Sequence, residues 1–170
     1  MIASSACSKR IRLSSLIPEW KSDVQWKDEY SLGILEIDNQ HKSLISSFAA
    51  IEEAIRSGQA WSSIHFNIVD LKEFAGFHFA CEEALMRLFA YPGLEEHCAG
   101  HKHFFVALDE IEKNSLRKST EKELVEFLWV WLTGHIVGDD KDYARYILSG
   151  ASIVVSKETC LNANTAQPVV

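Results

Sequence analysis

Apolar residues recur at spacings of three and four along most of this chain, which is the pattern of helices that each bury one face. The first such stretch begins near Asp38, whose side chain is of a type that caps helices, and it ends at Ser57-Gly58. The second stretch runs from Ser62 or Ser63 to about Phe89. Both are long enough to form helices of several turns.

Two further stretches complete the pattern. A break at Tyr91-Pro92-Gly93 precedes the third predicted helix. Thr120 and Glu123 form a capping box at the start of the fourth helix, which fades near Ser149-Gly150. Four amphipathic helices joined by short loops predict an all-α fold, an antiparallel up-down-up-down four-helix bundle.

The two ends of the chain lack this period. Residues 1–25 are predicted to be an irregular N-terminal extension, residues 26–150 the four-helix domain, and residues 151–170 a short C-terminal tail. A length of 170 residues with 47% hydrophobic and 24% charged residues suits one globular domain.

Charge and hydropathy exclude several classes of partner. The net charge of −7 argues against a nucleic-acid partner, which would require clustered basic residues. No apolar run approaches the roughly 20 residues needed to span a bilayer. The segment from Met1 to Pro18 contains basic residues without a sustained apolar core, so it does not resemble a secretory signal.

Four cysteines are present, and none forms a CxxC pair: Cys7, Cys81, Cys98 and Cys160. A zinc knuckle or a thioredoxin-like motif is therefore not expected. A domain with an adequate core does not need disulfides, so we expect free thiols and a cytoplasmic location.

Residues with metal-ligand chemistry interrupt the apolar faces of all four predicted helices. Side chains four residues apart lie about one turn apart on the same helix face. Burying this many imidazoles and carboxylates without a partner would cost several kcal/mol per group. The pattern therefore predicts a metal site. The candidate ligands are five of the seven histidines and two acids: His41, His78, Glu82, His97, His101, His135 and Asp140.

The last acid is the least regular member of this set. Asp140 follows His135 by five positions, and five steps of a regular α-helix end about 140° away from the starting face. Asp140 can point inward only if the helix widens locally, as in a π-bulge, or ends there. Gly138 would ease such a distortion. Asp139 has regular spacing and is the competing ligand, which helix geometry alone slightly favours.

Counting coordination positions favours a pair of iron ions. Two octahedral ions offer twelve positions. Five imidazoles, two bridging carboxylates and one bridging oxide or hydroxide would fill all but one of them. The remaining position could take a small diatomic ligand. Imidazole and carboxylate ligands with an open position suit iron, whereas zinc prefers four-coordinate sites.

From Trp26 to about Leu148 the chain resembles the hemerythrin family in its single-domain bacterial form. The residues that carry the resemblance are Trp26, Tyr30, Gly33-Ile34, Ile37-Asp38-Asn39-Gln40-His41, Leu44, His78-Phe79, Glu82-Glu83, Met86, His97, His101, Phe104, Trp131-Leu132, His135-Ile136, Asp140 and Tyr143. This resemblance implies a non-haem di-iron centre that binds O₂ reversibly, for oxygen storage, delivery or sensing, rather than an enzyme.

The resemblance also implies how the ligands divide. One iron would take His97, His101 and His135. The other would take His41 and His78 and keep the open position. Glu82 and Asp140 would bridge the two ions, so the family pattern selects Asp140 over Asp139. The motif further implies an apolar pocket over the open position, built from Leu132, Ile136, Trp131, Met86 and Phe79.

Two other functions remain possible from the sequence. One is a di-iron enzyme that handles O₂, NO or peroxide, although such bundles commonly use more carboxylates. The other is a redox-responsive regulatory module with an unidentified protein partner. The two surplus histidines, His65 and His103, are expected at the surface.

Overall fold

Four long helices account for most of the structure, a computed structural model that describes residues 25–118 and 121–150. A short 3₁₀ turn at Asp28–Tyr30 precedes them. The helices are α1 at Leu35–Arg56, α2 at Trp61–Leu88, α3 at Leu94–Lys118 and α4 at Glu121–His135. One turn of π-helix at Ile136–Asp140 follows α4 directly, and residues 141–150 continue as α-helix.

Short connections determine the topology. Residues 57–60 join α1 to α2, and residues 89–93 join α2 to α3. Helices joined by so few residues must run antiparallel. Each helix packs against its neighbours in the chain, and α4 closes the ring against α1. The predicted all-α, up-down-up-down bundle is confirmed. The predicted cap at Thr120 lies outside the described residues, as do residues 1–24 and 151–170.

The start of α1 differs from the prediction. The helix begins at Leu35, so Asp38 lies in its first turn and does not cap it. The Asp38 carboxylate instead accepts hydrogen bonds from the Ser31 hydroxyl at 2.6 Å and from the Leu32 N–H at 2.7 Å. It also accepts one from the N–H of Gly33, whose φ of +81° favours glycine. Asp38 therefore ties the incoming segment to α1, because it satisfies N–H groups that precede the helix.

Two apolar clusters divide the core along the bundle. The larger cluster includes Leu44 of α1, Phe79 of α2 and Leu132 of α4. The smaller cluster includes Ile37, Met86 and Tyr143. The five buried histidines, with Glu82 and Asp140, lie near the junction of these clusters; in α1, for example, His41 lies between Ile37 of the smaller cluster and Leu44 of the larger one. The bundle therefore has a polar layer with apolar packing on both sides.

Several predictions for residues outside the core are confirmed by the structure. His65 and His103 are exposed, as predicted. Cys81 and Cys98 are free, partly buried thiols, also as predicted, whereas Cys7 and Cys160 lie outside the described residues. Among the described residues, no helix is long and apolar enough to cross a membrane.

Candidate metal centre

Five imidazoles converge in the polar layer. They come from all four helices, and each one directs its Nε2 atom toward the centre of the bundle. Their residues are at most 6% exposed. Each helix buries its histidines for the same reason that it buries its neighbouring apolar residues, because they share the inward helix face. The residues are His41, His78, His97, His101 and His135.

The donor atoms fall into two groups that share one carboxylate. One group contains Glu82 with three histidines, His97, His101 and His135. The other contains Glu82 with two histidines, His41 and His78. Within each group the donor atoms lie within 4.8 Å of one another. This arrangement provides two adjacent positions for cations.

Glu82 presents one oxygen to each group. Its Oε1 atom lies 3.5 Å from Nε2 of His78 and 3.7 Å from Nε2 of His41. Its Oε2 atom lies 3.2 Å from Nε2 of His101 and 3.6 Å from Nε2 of His97. The carboxylate therefore spans the two cation positions.

Asp140 spans the same two positions. Its Oδ2 atom lies 3.3 Å from Nε2 of His41. Its Oδ1 atom lies 3.1 Å from Nε2 of His135 and 3.4 Å from Nε2 of His97. The two carboxylates thus face both groups of histidines, one oxygen to each.

A π-helical turn places Asp140 there. The turn covers Ile136–Asp140, where the sequence required a widened helix for Asp140 to point inward. The Asp140 residue is fully buried, whereas the Asp139 side chain is 66% exposed. Regular helical spacing, which favoured Asp139, fails here because the helix is not regular.

In three of the imidazoles, the Nδ1 atom, on the side of the ring away from the centre, faces a side chain whose role the sequence did not indicate. The Nδ1 atom of His78 lies 3.0 Å from Oε1 of Gln40. The Nδ1 atom of His101 lies 3.3 Å from Oε1 of Glu83, and that of His135 lies 3.1 Å from Oδ2 of Asp139. Metal-bound histidines are commonly oriented in this way. The sequence signals were adjacency to a candidate ligand and, for Gln40 and Glu83, a place among the residues that carry the family resemblance, but neither signal gave this role.

Several buried polar atoms at the centre have no hydrogen-bond partner. They are both ring nitrogens of His41, Oε2 of Glu82, Nε2 of His97 and both carboxylate oxygens of Asp140. Leaving such atoms unpaired is costly, and all of them except Nδ1 of His41 face the centre, where cations could contact them. Bonds of about 2.1 Å at right angles would separate neighbouring donors by about 3.0 Å. The shortest separations here, 3.1 Å and 3.2 Å, are close to that value.

Comparison with known proteins agrees with this geometry. The family model described as Hemerythrin HHE cation binding domain matches residues 32–147. A bacteriohemerythrin from Clostridium acetobutylicum is 31% identical over 124 residues, covering 69% of this chain and 96% of that protein. The chain belongs to the hemerythrin family.

Further relatives extend this hemerythrin similarity beyond one lineage. A bacteriohemerythrin from Stenotrophomonas maltophilia is 33% identical over 127 residues, covering 72% of this chain and 80% of that protein. A myohemerythrin from Riftia pachyptila is 28% identical over 125 residues, covering 74% of this chain and 94% of that protein.

The charge balance of this hemerythrin centre depends on its neighbours. Burial lowers the pKa of His41, but the nearby carboxylates of Asp140 and Glu82 outweigh burial and raise that pKa to about 9. Burial, together with the Glu82 charge, raises the pKa of Asp140 to about 7. Burial lowers the pKa of His78 to about 4 and that of His135 to about 2. His78 and His135 are thus held as neutral imidazoles, the form that binds metal.

Tyr143 is a further functional neighbour of the centre. Its hydroxyl donates a 2.8 Å hydrogen bond to Oε1 of Glu82. Burial and the Glu82 charge raise the Tyr143 pKa, so the hydroxyl keeps its proton and remains a donor. The hydrogen bond fixes the carboxylate in the orientation that faces both histidine groups.

Aromatic rings cover the centre on the side of the larger apolar cluster. Phe79 stacks on the His101 ring with centroids 3.8 Å apart, and Trp131 stacks on the His135 ring at 4.4 Å. Both side chains, with Leu132, line an apolar cavity between the helices. Ile136 is buried in the same cluster but does not line this cavity, and Met86 lies in the smaller cluster. The structure therefore brings together three of the five residues predicted for the pocket.

Proposed function

We propose that this protein binds O₂ reversibly at a pair of iron ions. One observation carries the proposal: Glu82 and Asp140 each direct one oxygen to a three-histidine group and the other to a two-histidine group. Two carboxylates in this arrangement suit two adjacent cations. The family membership of the chain supports the same conclusion, and the relatives bear the names bacteriohemerythrin and myohemerythrin.

The geometry supports one division of the donors between the two ions. His97, His101 and His135 would hold one ion, His41 and His78 the other, and the two carboxylates would bridge them. Imidazole and carboxylate donors suit iron, and a reduced iron pair can supply the two electrons needed to bind O₂. The two-histidine position has fewer protein donors, so it is the position that leaves room for a small ligand.

The surrounding residues support reversible binding. Every candidate ligand is nearly inaccessible to solvent, and Phe79, Trp131 and Leu132 form an apolar wall beside the centre. Such a wall keeps water and protons away from the ions. Tyr143 donates to Glu82 and so holds one bridging carboxylate in place. These residues bind, orient and exclude water, which are the properties that a carrier of O₂ requires.

An optical titration tests this function. The protein is reduced, loaded with Fe²⁺ without oxygen, and then exposed to O₂ in steps. A visible absorption band should develop with about one O₂ per pair of ions and should disappear when O₂ is removed. The His103→Ala variant serves as the matched control, because His103 is exposed and outside the cluster.

Removing one predicted ligand should abolish the response. The His78→Ala variant should not develop the band, whereas the His103→Ala variant should behave as the unchanged protein does. Continuous consumption of O₂ in the presence of a reductant would contradict reversible binding and favour a di-iron enzyme. A band that fails to disappear when O₂ is removed would also contradict it.

A further inference from the structure

The two groups of histidines are supported unequally from behind. In the three-histidine group, the Nδ1 atoms of His101 and His135 face the carboxylates of Glu83 and Asp139. In the two-histidine group, the Nδ1 atom of His78 faces a neutral amide, that of Gln40. The Nδ1 atom of His41 is buried without a hydrogen-bond partner. Negative charge is therefore placed behind one cation position and not behind the other.

The bridging carboxylates do not offset this difference. Glu82 and Asp140 each direct one oxygen to one group and the other oxygen to the other group, so their charge is divided between the two positions. Two features distinguish the three-histidine position: its third imidazole, and the carboxylates that lie behind His101 and His135. Both differences act in the same direction, toward a stronger hold on a cation at the three-histidine position.

We infer that the two positions bind metal in a fixed order, the three-histidine position first, and that Glu83 and Asp139 are positioning residues that set this order. The inference rests on the proposed pair of metal ions. A carboxylate that accepts the Nδ1 proton of an imidazole makes Nε2 a stronger donor and fixes the ring before the ion arrives. Loss of such a partner typically lowers metal affinity by about 10-fold to 100-fold.

Glu83 and Asp139 should contribute to a similar extent, for different reasons. The Asp139 side chain is 66% exposed, so water weakens its interaction with His135. The Glu83 side chain is only 23% exposed, but it also pairs with Arg87 at 2.9 Å, which shares its charge. We therefore expect an effect near the lower end of the range from each residue.

The order of loading is measured by titrating the metal-free protein with Fe²⁺ in the absence of oxygen, using calorimetry. Two binding steps of different affinity are expected. The His97→Ala variant should lose the tighter step, because His97 belongs to the three-histidine group. The His78→Ala variant should lose the weaker step and keep the tighter one.

Variants of the supporting residues test what sets the order. Glu83→Gln and Asp139→Asn keep the shape of each side chain and remove its charge. Each should weaken the tighter step about 10-fold and change the weaker step much less. Gln40→Glu should do the reverse and tighten the weaker step, a gain that general destabilisation of the fold would not produce.

Matched controls separate this effect from overall charge. Asp142→Asn makes the same change as Asp139→Asn at an exposed position that pairs with Arg145. Glu53→Gln makes the same change as Glu83→Gln at an exposed position that pairs with Arg56. Both controls should leave both binding steps unchanged.

The possible results lead to different conclusions. Two Fe²⁺ ions bound with equal affinity, or a tighter step lost in His78→Ala and kept in His97→Ala, would overturn the loading order alone. Unchanged affinities in Glu83→Gln, Asp139→Asn and Gln40→Glu would overturn the role of the supporting residues. Binding of fewer than two ions would overturn the proposed di-iron centre as well. Because the titration uses no O₂, failure of oxygen binding would be seen only in the optical experiment.

Discussion

At Asp139 and Asp140, two adjacent residues with the same functional group face opposite environments. Asp140 is fully buried and lies 3.1 Å from Nε2 of His135. The Asp139 side chain is mostly exposed and lies 3.1 Å from Nδ1 of the same imidazole. One carboxylate therefore shares the inner side of the ring with the candidate ions, and the other holds the ring from outside.

These positions predict different effects on iron content. Asp140→Asn should lower the iron bound per chain, because it removes the charge of a carboxylate that faces both cation positions. Asp139→Asn should bind a full pair of ions when Fe²⁺ is in excess, with only its affinity reduced. Iron analysis after gel filtration measures both. Loss of iron from Asp139→Asn but not from Asp140→Asn would reverse the assignment.

His41 gives the metal-free protein a dependence on pH. Its pKa is raised from the ordinary value of 6.5 to about 9 in the folded chain, because Asp140 and Glu82 outweigh the effect of burial. The protonated imidazole therefore stabilises the fold fully below pH 6.5, and this contribution is lost as the pH rises through about 9.

We expect the free energy of unfolding of the metal-free protein to fall by about 2 kcal/mol between neutral pH and about pH 9. Urea unfolding at several pH values measures it. The His41→Gln variant cannot take up this proton, so its stability should change much less over the same range. An equal slope in the two proteins would show that another group causes the dependence.

Among the elements, the described chain departs from regular α-helix at two places, and the first of them serves the centre. The π-helical turn at Ile136–Asp140 directs an acid inward without changing the face that α4 buries before and after it. Residues such as Leu132 on one side of the turn and Tyr143 on the other remain buried. The second departure is the segment before α1, which Asp38 binds through its carboxylate.

The role of Asp38 predicts a loss of stability without a loss of metal. Asp38→Ala leaves the Leu32 N–H buried without its acceptor, so the free energy of unfolding should fall by about 1 to 3 kcal/mol. Thermal unfolding of the metal-free protein measures the change. Glu36→Ala, an exposed acid in the same turn, is the control and should cost little. Equal effects of the two variants would point to the helix dipole instead.

At the scale of the whole molecule, the polar layer depends on the apolar clusters that enclose it. Phe79 and Trp131 stack on imidazoles of the layer, and with Leu132 they line the cavity beside it. The layer can remain dry only if this packing excludes water. Under the proposed function, the stability of the oxygenated form would therefore depend on the packing of the bundle as well as on the ligands.

Enlarging the cavity should shorten the lifetime of the oxygenated protein. Leu132→Ala removes bulk from the cavity wall and admits water, so the O₂-dependent absorption band should decay several-fold faster. Leu124→Ala is the matched control, because Leu124 is buried in the same helix but does not line the cavity. Both variants should lose about 2 to 5 kcal/mol of stability. Equal decay rates in the two variants would contradict a specific role of Leu132.

The fold class, and the residues that converge at the candidate centre, could be predicted from the sequence. The spacing of apolar residues depends on the α-helical period alone, so four helices could be recognised without knowing how they pack. His78 with Glu82, and His97 with His101, follow the same period, and they lie together as their spacing predicted. Spacing also required a widened helix for Asp140, although helix geometry alone slightly favoured Asp139 as the ligand.

The relations between side chains on different helices could not be predicted from the sequence and became visible in the folded bundle. Each carboxylate faces both histidine groups because of how α2 and the π-helical turn after α4 pack against the other helices. The spacing of residues within one helix carries no information about this packing. The same holds for Gln40 behind His78, Glu83 behind His101 and the separation of Met86 from the cavity. Local spacing is a property of one helix. Distances between side chains on different helices depend on packing of the whole core, because close-packed interiors fix them to fractions of an ångström.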